Sequence, residues 1–157
     1  MTRHKYLALL GLAAGLLLAL GAGAADEKKA AEKAAPDHHG GAFLDCAKAC
    51  NECQRECDSC ARHCALMVAD GKKEHMKTLG TCIDCADVCS TAARITSRQG
   101  PMSVTVCEAC AKVCDTCGEA CGTFKEDDHM KRCAETCLKC AKACREMIKH
   151  AAHAADK

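Results

Sequence analysis

The sequence predicts an all-α protein, an antiparallel up-down-up-down four-helix bundle with a cysteine-lined core. Three observations carry this reading. The 18 cysteines of the 157-residue chain recur at alternating steps of three and four, the spacing of one helix face. They fall into four runs separated by short breaker segments. Only two prolines are present, while Ala, Lys and Glu, good helix formers, are abundant.

The chain opens on a segment read as a secretory signal over residues 1–24. Arg3 and Lys5 form a basic start, Tyr6 to Leu20 an apolar run, and Ala22-Gly23-Ala24 a small-residue cleavage site. The apolar run is short for a membrane span. Cleavage after Ala24 is expected, giving an exported, periplasmic protein with no membrane attachment. Removing the segment lowers Lys+Arg from 22 to 20 against 21 Asp+Glu, a near-neutral chain. No basic surface for nucleic acid is indicated, and aromatics at 2% leave little for base stacking.

Residues 25–41 read as a flexible tail. An Ala-rich polar run is broken by Pro36 and by Gly40-Gly41. The first helix is expected over about 42–69, ended by Asp70-Gly71, with Asp70 also able to cap the next helix. The second is expected over 72–98, stopped by Gln99-Gly100-Pro101. Pro101 suits the first turn of a third helix over 102–121. Gly122 fits a C-terminal cap. Thr123 to Glu126 reads as a capping box for a fourth helix over 124–153, with Asp127 and Asp128 favourable near its start. Short connections make neighbouring helices antiparallel, so 42–154 forms the bundle.

The cysteines sit on these helices in register. The first helix carries Cys46, Cys50, Cys53, Cys57, Cys60 and Cys64. The second carries Cys82, Cys85 and Cys89. The third carries Cys107, Cys110, Cys114, Cys117 and Cys121. The fourth carries Cys133, Cys137, Cys140 and Cys144. These are the a and d positions that hold Leu and Ile in an ordinary bundle. From Ala42 to His150 there are only 14 Leu, Ile, Val and Phe residues, too few to fill such a core. The thiols are therefore expected inside, and the metal-free bundle gains less from burial than a leucine-filled one.

The chemistry follows from the spacing. Residues i and i+4 lie about 5–6 Å apart at Cβ, so two thiolates of one helix can approach one ion. Soft thiolates select Cu(I), zinc and iron–sulfur clusters. Zinc favours discrete tetrahedral sites, a cubane needs four converging ligands, and Cu(I) accepts low coordination and shared thiolates. A continuous thiol column suits multiple Cu(I) ions best. Extending the helical faces brings Met67, His75 and Met130 to one end, near His63 and His129, as candidate ligands of a metal entrance. These methionines would equally fill core space, and His63, His129, His150 and His153 are expected to face solvent. The other end carries Phe43, Ser103 and Met147, with Ala92 on the second helix. Thr78 stands where a further cysteine would continue the second helix's column.

The pattern from Cys46 to Cys64, Cys82 to Cys89, Cys107 to Cys121 and Cys133 to Cys144 resembles the bacterial cysteine-rich four-helix-bundle copper storage proteins, the Csp family, over about residues 42–150. The resemblance implies Cu(I) held mainly by thiolate pairs, thiols kept reduced, a mouth with Met and His, and a homotetramer in exported members. Copper ions are then the main partner, with a copper-dependent enzyme or copper chaperone as supplier or recipient.

Three other readings stand beside storage. One is an exported copper chaperone, which needs only one or two exposed sites. Another is general zinc or cadmium sequestration by the same thiols. The third is a disulfide-stapled structural bundle, which strict S–S geometry and many competing partners disfavour. No Ser/His/Asp pattern, phosphate-binding glycine loop or isolated cysteine with a base is present, so no enzymatic activity is expected.

Overall fold

The computed structural model describes residues 40–155; the signal-like segment and most of the expected tail lie outside them. The described residues form α1 (Gly41–Ala69), α2 (His75–Ser97), α3 (Ser103–Gly122) and α4 (Asp128–Ala155). Helix α1 packs against α2 and α4, and α3 against the same two. The pairs α1/α3 and α2/α4 are therefore the diagonals of a four-helix bundle. Cys46 and Cys107, at the starts of α1 and α3, meet Cys144 near the end of α4, which gives the alternating directions.

The turns are built from local chemistry. Helix α1 ends in a Schellman motif. Lys72 N–H donates to Met67 C=O at 2.9 Å and Gly71 N–H to Val68 C=O at 3.0 Å. Gly71 adopts φ 89°, a conformation that costs a residue with a Cβ about 1 kcal/mol or more. The turn continues through bonds from Lys73 to Gly71 and from His75 to Lys72, so α2 begins at His75. It has no side-chain cap there. Asp70 thus closes α1 and does not cap α2.

The α2–α3 turn repeats the motif with Gln99 at φ 50°. Gly100 N–H reaches Ile95 C=O and Gln99 N–H reaches Thr96 C=O. The start of α4 also departs from the expected capping box. Thr123 Oγ1 donates back to Ala120 C=O at 2.7 Å, so it serves the end of α3. Asp127 takes the capping role instead, its Oδ1 accepting from His129 N–H at 3.0 Å and Met130 N–H at 3.2 Å.

The core has an unusual composition. Its buried apolar residues are all Cys, Ala or Met. Among the described residues, every Leu, Ile, Val and Phe is half-buried or exposed. Phe43, Leu79, Val88, Val106, Val113, Phe124 and Ile148 pack on the outside of the cysteine core. Alanines such as Ala47, Ala61, Ala86, Ala111, Ala134 and Ala141 flank the thiols. A Cβ at Gly118 would lie 3.3 Å from Ala134 C=O, so α3 and α4 run close there. Small flanks make a narrow bundle. That narrowness lets short cysteine side chains from four helices touch.

Candidate metal centre

All 18 cysteines are free and buried. Their sulfurs form a column along the bundle axis. At the end formed by the starts of α1 and α3, Cys46 Sγ lies 3.7 Å from Cys107 Sγ and 3.7 Å from Cys144 Sγ. One step on, Cys50 lies 3.7 Å from Cys140, 3.7 Å from Cys144 and 3.9 Å from Cys110. In the middle, Cys114 lies 3.9 Å from Cys53, 3.8 Å from Cys85 and 3.4 Å from Cys89. Cys57 lies 3.5 Å from Cys137. Near the far end, Cys82 lies 3.7 Å from both Cys117 and Cys121.

These separations far exceed a disulfide bond of about 2.05 Å. They suit sulfurs that would share a metal ion. In the group Cys50, Cys110, Cys140 and Cys144, the sulfurs all lie within 4.8 Å of one another. The same holds for Cys53, Cys85, Cys89 and Cys114, and for Cys60, Cys82, Cys121 and Cys133. Other groups share members: Cys53, Cys57, Cys85 and Cys137 overlap Cys57, Cys117, Cys133 and Cys137. The overlap is the central geometric fact. The sets from Cys89 to Cys60 share members, and the Cys50 set adjoins them through Cys89, 3.7 Å from Cys110 and 4.0 Å from Cys140.

Burial and crowding act against ionisation of metal-free thiols. Burial first, then the adjoining Cys60, Cys133 and Asp127, push Cys64 up to about 12. Hydrogen bonding to Cys144 and Cys46, together with burial, pushes Cys107 up as well. Cys85 is drawn the other way, to about 7, chiefly by its hydrogen bond with Cys114. A soft cation would replace the shared protons, and loading would release them.

The end with Cys60 and Cys64 is chemically distinct. Met130 is fully buried there, its Sδ 3.5 Å from Cys60 Sγ and 3.8 Å from Cys64 Sγ. His75 is also buried, stacked on Phe124 with ring centroids 4.1 Å apart, and its Nδ1 has no hydrogen-bond partner. Met67 is only half-buried, with its sulfur 3.5 Å from Lys72 Nζ. The expected trio is therefore split, with His75 and Met130 buried and Met67 at the rim.

His63 and His129 are half-buried and stacked at 4.7 Å, contrary to the expectation that they face solvent. His63 Nε2 lies 2.7 Å from Asp127 Oδ2, which joins α1 to the cap of α4. His150 and His153 are exposed. At the opposite end, Phe43 packs against the core and Ser103 and Met147 are buried. Thr96, not foreseen there, is fully buried with Oγ1 3.3 Å from Cys107 Sγ. The three-and-four steps from Cys89 through Ala92 reach it, so its signal was present in the sequence.

Burial opposes ionisation of Asp127, but hydrogen bonds from His63 and from the Met130 and His129 backbone outweigh it. They hold the carboxyl below its ordinary range. A depressed folded-state value means stability that is present above the ordinary carboxylate pKa. It is lost as pH falls through the folded-state value. Replacing Asp127 with Ala is expected to cost about 1 kcal/mol at neutral pH. The difference from wild type should vanish in strong acid, measured as urea midpoints across pH.

A narrow four-helix bundle with interlocking buried thiol sets defines a protein for multiple soft metal ions. The copper storage protein family profile matches residues 40–149, and the chain belongs to that family. A cytosolic copper storage protein from Streptomyces lividans, solved with five coppers, is 32% identical. The match has a TM-score of 0.64 and covers 69% of this chain and 93% of that one. The Cu(I)-bound copper storage protein BsCsp3 is 30% identical, with a TM-score of 0.61, covering 66% and 94%. YhjQ, an uncharacterised cysteine-rich protein of Bacillus subtilis, is 33% identical over 110 residues, covering 68% and 89%.

These relatives correct one expectation. The exported, periplasmic location read from residues 1–24 is overturned by the Streptomyces lividans relative, which is described as cytosolic. Among the described residues no helix is long and apolar enough to cross a membrane.

Proposed function

We propose that this protein binds and stores multiple Cu(I) ions on its eighteen cysteine thiolates, loaded through the end that holds His75 and Met130. The interlocking of the four-thiol groups carries this reading. Each ion can pass to a neighbouring set without leaving sulfur, so one mouth serves the whole column. Storage asks for capacity and not turnover, and the protein has no catalytic role.

The mouth assignment is supported by two features. The unpartnered, buried Nδ1 of His75 is a polar atom that costs free energy until satisfied. A cavity of about 570 Å³ opens beside it, lined by Glu74, Glu126, Asp127 and Asp128 as well as Lys72 and Lys125. Asp127 and Asp128 are held by His63 and Lys131, and Glu74 and Glu126, which have no ion pair among the described residues, attract a cation. Imidazole and thioether bind Cu(I) more weakly than thiolate and would hand it inward, to Cys60 and Cys64. A copper chaperone or copper enzyme would dock at this end.

Self-association is part of the proposal, with exposed Leu66, Ile83 and Leu138 available for contact between copies. Paired His75→Phe and Met130→Leu replacement is expected to slow Cu(I) loading several-fold while the cysteine-borne capacity remains. Stopped-flow transfer from a chelated Cu(I) donor would read this, and unchanged loading kinetics would refute the mouth.

A further inference from the structure

The thiol column has a second approach, from the side and at the opposite end. A groove of about 580 Å³ lies between the first turns of α1 and the middle of α4, from Lys139 to Glu146. Ala42 and Ala143 keep it open, and Cys46 lies in its lining. Cys46 belongs to the last rung of the column, 3.7 Å from both Cys107 and Cys144. Small molecules of tripeptide size fit a groove of this volume.

The charges of the groove are ordered. Its carboxylates, Asp45 and Glu146, are taken up by Lys48 and Lys149, each pair at 3.2 Å. Its lysines, Lys139 and Lys142, have no ion pair among the described residues. The groove therefore presents two free ammonium groups beside a buried thiol. At the mouth, Asp127 and Asp128 are likewise held by His63 and Lys131, and Glu74 and Glu126 remain beside Lys72 and Lys125. The groove, with its own carboxylates paired off, is the end that favours an anion.

Resting on the storage reading above, we propose that this groove is an unloading port for small anionic thiols that bear carboxylates. Lys139 and Lys142 hold the carboxylates while the thiolate reaches the ion bound at Cys46. The exchange involves no electron transfer. The incoming thiolate forms a Cu–S bond, the bond from copper to Cys46 breaks, and the Cys46 thiolate takes up a proton. A second thiolate displaces Cys144 in the same way. Copper leaves as a two-coordinate bis-thiolate anion, and two protein thiols are restored. The rung refills from Cys50, Cys110 and Cys140, which neighbour Cys144.

The test follows copper leaving the full-length, Cu(I)-loaded protein into an excess of colorimetric chelator. Catalytic amounts of mercaptosuccinate, 2-mercaptoethanol or cysteamine are supplied at equal thiolate concentration. The dianionic thiol should speed release about tenfold more than the cationic one, an advantage that salt screens. Lys139→Gln with Lys142→Gln should remove most of that advantage, and Ala143→Phe should slow release by mercaptosuccinate several-fold. Equal rates for the three thiols, or a preference that survives the double lysine replacement, would overturn the port. Loading is measured first. A chain that takes up no copper sinks the storage reading along with the port, whereas a chain that loads fully yet shows no anion preference sinks the port alone.

Discussion

Filling the reduced protein with Cu(I) is expected to raise its thermal midpoint by at least about 10 °C. The metal-free core is weak for its size. Among the described residues it buries cysteine, alanine and two methionines, with His75, Thr78, Thr96 and Ser103, and no Leu, Ile, Val or Phe, so burial stabilises it less than an ordinary bundle. Copper bridges change this. Cys53 faces Cys114 of α3 and Cys137 of α4, and Cys82 of α2 faces Cys117 and Cys121 of α3. Ions shared at these contacts would tie the helices to one another. Each site filled at about a hundredfold above its dissociation constant adds about 2.7 kcal/mol if the unfolded chain does not compete. Unfolded thiols do bind copper, which lowers the figure, but they lack the preset four-helix geometry. The gain should shrink in acid, where protons compete for the thiolates. Circular dichroism melts of metal-free and loaded protein would check this, and a loaded form that melts below the metal-free form would count against copper bridging the helices.

The second large effect concerns the middle of the column. Cys53 belongs to two of the four-thiol groups, one with Cys85, Cys89 and Cys114 and the other with Cys57, Cys85 and Cys137. Replacing Cys53 and Cys114 together by Ala should lower copper capacity by about two to four ions, because shared thiolates serve more than one ion. The fold should survive. Ala keeps the helix, and the small cavities cost about 1–2 kcal/mol in total. Serine would be worse, since a hydroxyl among sulfurs is poorly satisfied. Capacity by competitive titration and metal-free stability by urea unfolding would be compared. A capacity loss of one ion or none would mean the groups do not interlock as the distances indicate.

Much of the architecture was legible because one residue type marks one face. The steps of three and four locate the inward face of each helix, and the Ala- and charge-rich remainder locates the outward one. The turns were less legible. Gly71 and Gln99 were visible as stop signals, but the Schellman turn after α1 consumes residues that a simple reading gives to α2. Thr123 and Glu126 match a capping box in spacing, yet Thr123 bonds back to α3 and Asp127 caps α4. Local motifs compete there, and tertiary packing decides. The ends of the column were partly legible for the same reason. Periodicity brings His75 and Met130 to one end, but the stacking of His63 on His129 and the pairing with Asp127 depend on the register between α1 and α4. Spacing within one helix carries no information about that register.

On this reading every rung of the column stores copper. The most direct test is an anaerobic Cu(I) titration of the reduced protein against a competing high-affinity chelator, with zinc as the control. Two unshared thiols per ion set about nine ions per chain, and sharing raises that number towards one per thiol. Tight uptake of about nine or more Cu(I), well above zinc, is the predicted result. Saturation at one or two ions would contradict storage and indicate a transfer protein instead.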